Sequence, residues 1–171
     1  TVLQNPLVDT AVFEVARGGL LREGLGYDRN DVAVVTNVTA DHLGLHGIDT
    51  VAQLATVKSV LVDAVPRDGT AVLNADDPLI ADLGRPGTAH LQLDAPTPTR
   101  SGSRSIRGSE CVYFGVDDDA LALPELQHAS DSKHCRRCGH AYGYSQIYLS
   151  HLGHYRCPNC GHARPPLDVA A

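Results

Sequence analysis

Four cysteines carry the clearest chemistry in the chain. Cys135, Cys138, Cys157 and Cys160 form two C-x2-C pairs separated by 18 residues. Each pair offers two thiolates from one tight turn, and a tetrahedral zinc ion takes four such ligands. Gly139 and Gly161 directly follow the second cysteine of each pair, where the backbone must turn sharply. Tyr142, Tyr144, Ile147, Tyr148 and Leu149 supply strand-like filling between the pairs. The pattern predicts a zinc ribbon over 131–166. A four-thiolate shell leaves no open coordination position, so such an ion is structural. The competing reading is a pair of disulfides, which a reducing compartment disfavours. Cys111 stands 24 residues before the quartet and reads as a buried strand residue, not a fifth ligand.

A second constellation is Glu14, Asp41-His42 and Lys58. Carboxylate and imidazole groups at the ends of parallel strands can hold Mg²⁺, which prefers few protein ligands plus phosphate oxygens. Lys58 is the only lysine before residue 133 and shares a helix face with Leu54 and Leu61. A charge on an apolar face needs a reason. The plainer readings are a buried polar loop and a lysine whose stem covers apolar surface while its head reaches water. Asp117-Asp118-Asp119 reads as a solvated turn in preference to a cation site.

These residues need a scaffold. Residues 9–15, 31–37, 71–73 and 111–115 are apolar runs rich in β-branched side chains, and each predicts a buried strand. Between them lie a turn and short helix at 17–24 and a helix at 50–65 capped by Asp49-Thr50 and ended by Pro66 and Gly69. Asn74-Ala75-Asp76-Asp77-Pro78 turns into a further helix. Strands alternating with helices predict an α/β fold with a parallel sheet. The expected organisation is a main domain over 1–94, an irregular linker over 95–110, a strand and connection over 111–130, and the ribbon over 131–166.

Composition narrows the function classes. Hydrophobic residues make up 43% of 171, enough for a core and too many for wholesale disorder. Residues 1–83 carry net charge −7 and residues 131–171 net +3. An acidic body argues against nucleic acid, because phosphate affinity needs clustered cations. Four thiolates around Zn²⁺ add about −2 and reduce the basic tail further. Tyr142, Tyr144, Tyr148 and Tyr155 could stack bases in a non-enzymatic binding module, but packing inside the ribbon is the favoured reading. No apolar run approaches the ~20 residues of a membrane span, and the first residues lack a secretory pattern, so a cytoplasmic chain is expected. The sequence contains no methionine, which predicts a processed chain or a piece of a longer one.

The motifs resemble a known family. Glu14-Val-Ala-Arg-Gly-Gly-Leu-Leu-Arg-Glu-Gly-Leu-Gly26, Thr36-Asn-Val-Thr-Ala-Asp-His-Leu-Gly-Leu-His-Gly47 and Val72-Leu-Asn-Ala-Asp-Asp-Pro78 are similar to the ATP-binding central domain of the Mur ligase superfamily, in particular the Mur-like part of cyanophycin synthetase. Residues 111–171 resemble MurT, the Mur-ligase-like subunit of lipid II isoglutaminyl synthase, through Tyr113-Phe-Gly-Val116 and the sequence around the four cysteines. The resemblance implies a three-layer α/β domain and an ATP-dependent ligase: a carboxylate becomes an acyl phosphate, which an amine or ammonia attacks. It implies Mg²⁺ at Glu14 and His42, a carbamoylated lysine at Lys58, and nucleotide near Asn74 and Asp77. The MurT-like block implies amidation of the D-glutamate of peptidoglycan lipid II with a glutamine amidotransferase partner, and a cyanophycin synthetase-like ligase is the alternative. The family's phosphate loop, G-x-x-x-x-G-K-[ST], occurs nowhere in the sequence, so these 171 residues alone are expected to be inactive.

Overall fold

A parallel sheet needs cover on both faces and helices long enough to cross between its strands. The computed structural model, which describes residues 2–41, 43–85, 109–124 and 133–171, has this architecture in reduced form. In chain order its elements are α1 (Arg17–Glu23), β1 (Val32–Val35), α2 (Val51–Asp63), β2 (Thr70–Asn74), α3 (Pro78–Ala81), β3 (Glu110–Gly115), β4 (Gly143–Leu149), β5 (Leu152–Arg156) and β6 (Val169–Ala170). Strands β1-β2-β3-β6 form one sheet in that order, all parallel, and β4-β5 is an antiparallel hairpin.

The α2 start follows from local chemistry. The Thr50 hydroxyl accepts from the Gln53 amide at 3.2 Å, and the Gln53 side chain accepts from the Thr50 amide at 2.9 Å, a reciprocal capping box. The helix buries Leu54, Ala55, Val57 and Val62 against Val35, Ala71 and Leu73 of the sheet. It ends at Asp63, short of the predicted 65. Asp77 caps α3 by accepting from the Leu79 amide at 2.9 Å, and Pro78 occupies the first helical position, where its missing N–H is harmless. Cys111 lies half-buried in β3, where burial pushes its thiol up. Asp118 caps the short 3-10 turn Asp119–Leu121.

One expected strand is absent. Residues 9–15 run as irregular backbone, with Val12 93% and Phe13 44% exposed. A buried strand needs backbone beside it to complete its ladder. Among the described residues none lies there, and β1 is the sheet edge, its Val32 and Val34 side chains exposed. Apolar composition cannot create the partner that the ladder requires.

The four-cysteine unit sits, in chain order, between β3 and β6, two neighbouring strands of one sheet. Its interior is a small cluster of Cys135, Tyr142, Tyr155 and Cys157 with Tyr144 packed against it. Most of the expected linker, 95–108, and residues 125–132 lie outside the described residues.

Candidate functional site

The two cysteine pairs fold identically because each closes on the same backbone bonds. Gly139 N–H donates to Cys135 O at 2.7 Å, and Gly161 N–H to Cys157 O at 3.0 Å. Cys135 N–H donates to His140 O and Cys157 N–H to His162 O, both at 2.7 Å. Gly139 and Gly161 have φ of 72° and 73°, a left-handed conformation that glycine adopts without strain. All four Sγ atoms lie within 4.8 Å of one another. The Cys135–Cys160 and Cys138–Cys157 separations are 3.5 and 3.4 Å. These are not disulfides, and all five cysteines are free. A tetrahedron of Zn–S bonds has an edge of about 3.8 Å, slightly longer than these two separations and inside the 4.8 Å spread of the set.

The thiols also feel one another. A hydrogen bond from Asn159, joined by one from the His140 backbone, brings Cys138 down to about 6. At Cys160 the His162 backbone bond favours the thiolate, but desolvation and the neighbouring sulfurs outweigh it and push the thiol up to about 12. One thiolate forms readily and the next is opposed by its neighbours. A divalent cation relieves that opposition, so the donor set fits zinc.

A polar layer joins this unit to the turn between β2 and α3. Asp76 and Asp77 in that turn and Asp82 just after α3 are all buried. His162 Nε2 lies 2.8 Å from Asp82 Oδ1, and its Nδ1 lies 2.7 Å from the Tyr142 hydroxyl. A carboxylate only accepts, so Nε2 carries the proton and Nδ1 takes the tyrosine's. Burial lowers the His162 pKa against the pull of Asp82, consistent with a neutral ring. Arg164 Nε donates to Asp76 Oδ1 at 2.6 Å and its Nη2 to Val116 O at 2.8 Å. Gly153 N–H of β5 donates to Asp76 O at 3.1 Å, and Arg85 donates to Ala163 O. His151, fully buried, places Nε2 3.4 Å from Asp77 Oδ2.

The second constellation gathers around one peptide group. Lys58 Nζ donates to Asn37 O at 2.5 Å, and Val38 N–H donates to Asp77 Oδ2 at 2.8 Å. Lysine and aspartate therefore grip the two ends of the Asn37–Val38 peptide, just past the C-terminal end of β1. This is the end of an open parallel sheet where ligands bind. Burial lowers the Lys58 pKa, with Asp77 opposing. Asn74 is buried next to them and its Oδ1 accepts from the Asp76 amide at 2.9 Å. Glu14 is exposed in the segment before α1, and His42 lies outside the described residues. Arg17, which opens α1, donates to Asp41 O and Leu45 O, both at 3.3 Å, and so ties that segment to the loop after β1.

Sequence reasoning brought Lys58, Asp77 and the cysteines to attention. It missed His151, His162, Arg164, Asp76 and Asp82 as a layer. The available signal was an excess of histidine beside the cysteines: five of nine fall between 134 and 162.

The family model of the Mur ligase middle domain matches residues 2–93. The chain belongs to this family. Cyanophycin synthetase of Trichormus variabilis is 52% identical over 149 residues, covering 87% of this chain and 13% of that protein. The UDP-N-acetylmuramoyl-L-alanyl-D-glutamate–2,6-diaminopimelate ligase of Chlamydia pneumoniae is 40% identical over 70 residues, covering 41% of this chain and 14% of that enzyme. A pseudomurein peptide ligase type C from Methanothermus fervidus is a solved structure of similar fold, with TM-score 0.55, 28% identity, and coverage of 82% of this chain and 22% of that one. The chain thus spans about an eighth of the curated relative it matches over the greatest share of its length at 52% identity. That match crosses the 95–110 stretch, so one relative aligns across both sequence blocks. These relatives favour the cyanophycin synthetase-like alternative over the MurT-like reading.

Proposed function

We propose that this Mur ligase domain serves an ATP-dependent amide ligase of cyanophycin synthetase type, as part of a larger protein. The observation that carries the reading is the grip of Lys58 and Asp77 on the Asn37–Val38 peptide at the C-terminal end of β1. In that reading Glu14 and His42 hold Mg²⁺, which offsets charge on a transferring phosphoryl group. Lys58 is suited to its proposed role because burial favours its neutral amine. A neutral amine adds CO₂ and releases a proton, becoming a carbamate able to meet a second cation. Asn74, the last residue of β2, is proposed to face the nucleotide. The four cysteines hold one structural Zn²⁺, for which their clustered sulfurs are the support.

The four-cysteine unit is the feature that keeps the MurT-like reading, with an amidotransferase partner, as a second possibility within the same chemistry. A nucleic-acid module is less well supported, because Tyr142 and Tyr155 are interior and Tyr144 packs on them. No helix among the described residues is long and apolar enough to cross a membrane. We place the protein in the cytoplasm on the character of the family.

The test is Mg-nucleotide binding by the wild-type chain and by Glu14→Ala, His42→Ala and Lys58→Ala. Weakening in all three variants is expected. Binding that none of them changes sinks the assignment.

A further inference from the structure

Buried histidines usually have partners for both nitrogens. His151 is fully buried in the turn between β4 and β5, yet neither nitrogen has a hydrogen-bond partner. What the ring does have is Asp77 Oδ2 at 3.4 Å. The turn that delivers it is constrained: Ser150 has φ 52°, and a Cβ on Gly153 would collide with the Gln146 backbone. The hairpin therefore presents His151 in one position. Asp77 Oδ2 is also the acceptor of the Val38 amide, and the carbonyl of that same peptide is held by Lys58. A continuous line of contacts thus runs from the hairpin turn to Lys58, through one carboxylate and one peptide group.

The line has no slack at its ribbon end. His162, directly after the second cysteine pair's glycine, locks onto Asp82, and Arg164 onto Asp76. Asp76, Asp77 and Asp82 flank or occupy one short turn and helix, and each meets a side chain from the four-cysteine unit. Such a layer can transmit the state of the metal site to the strand end.

We propose that His151 is a positioning residue through which the four-cysteine unit fixes the Asn37–Val38 peptide beside Lys58. The inference rests on the reading above that Lys58 marks the reactive site and that the cysteines hold zinc. The contact of His151 with Asp77 keeps the carboxylate turned toward Val38. Loss of the metal frees the knuckles, the hairpin shifts, and Asp77 Oδ2 loses the ring beside it while Oδ1 keeps its place on the α3 cap. The ribbon then contributes to the site without touching the reacting groups.

The experiment is amide hydrogen exchange by NMR on the full chain, with zinc content measured in every sample. In His151→Ala that retains zinc, exchange at Val38 is expected to rise at least tenfold, while Leu73 in the central strand β2 stays unchanged. His151→Gln, which keeps a polar side chain beside Asp77, is expected to recover most of the protection. Stripping zinc from the wild-type chain is expected to accelerate Val38 in the same way. Unchanged Val38 exchange in zinc-loaded His151→Ala overturns the proposal. If that variant fails to fold, His151→Gln and the stripped wild type decide: equal Val38 exchange with and without metal overturns it. A wild-type chain that binds no zinc instead defeats the metal reading, and the two failures are told apart by the zinc content.

Discussion

The sheet unit and the four-cysteine unit solve the same problem with different materials. The sheet unit buries a contiguous aliphatic cluster of Val35, Val38, Leu54, Val62, Leu73, Ile80 and their neighbours. The four-cysteine unit has only Cys135, Tyr142, Tyr155 and Cys157 in its interior. The first can gain stability from apolar area. The second is too small for that and leans on its seat against the sheet unit, with the proposed zinc as its other support. The seat is polar: three buried aspartates meet two histidines and an arginine. The small unit's order is thus borrowed from buried carboxylates at one end and, on the zinc reading, from an ion at the other.

Loss of a cysteine is expected to have the largest effect. Cys157→Ser, or a strong chelator, should abolish zinc binding, a contribution on the order of 10 kcal/mol in isolated zinc modules. Tyrosine near-UV circular dichroism should collapse while far-UV helix signal from α2 persists. Simultaneous loss of both would mean that the two units are a single cooperative body.

Arg164→Ala should cost about 3–5 kcal/mol, because it leaves Asp76 buried and without its cation. Urea denaturation monitored by tyrosine fluorescence reads this, and Arg164→Lys should recover only part of it. Leu73→Ala is the converse probe. It should cost about 2–5 kcal/mol in the same assay with zinc stoichiometry unchanged.

Alkaline titration compares the units through their tyrosines. Burial raises Tyr113 in β3 and Tyr155 in β5 above the ordinary value of 10.0. Above pH 10 the unfolded chain therefore gives up protons that the folded one keeps. Stability should fall as pH rises past that point, and absorbance at 295 nm (roughly the phenolate band) should change together with unfolding instead of titrating gradually. The smallest effect is Thr50→Ala, expected to cost about 1 kcal/mol through loss of the capping box. It should shift the thermal midpoint without touching zinc affinity.

Much of this architecture is legible in the residues. The knuckle pattern, the capped helix α2 and the strands around 32–35, 70–74 and 110–115 all follow from spacing and local propensity. The segment 9–15 misleads because strand formation depends on a neighbour, and composition describes only one side of a ladder. The polar layer was hidden for a related reason. Asp77 reads locally as a helix cap and a motif carboxylate, and both descriptions are compatible with exposure. Only the long-range return of residues 151–164 onto the β2–α3 turn makes it a buried junction. Lys58 stands out by its isolation on an apolar face, but its partner, a backbone carbonyl, leaves no trace in the sequence.

The two-residue strand β6 carries a consequence for how the chain closes. It pairs with β3 at Phe114 and Gly115, with the whole of 116–168 intervening. Asp168 N–H donates to Tyr113 O and the Asp168 carboxylate accepts from Tyr113 N–H, both at 2.8 Å, so the strand is stitched from both sides. A ladder that short returns little free energy, and joining its ends across a slack chain costs entropy that grows with the logarithm of loop length. The structural zinc proposed for the knuckles would shorten that effective loop, so its removal is expected to loosen the β3–β6 pairing as well.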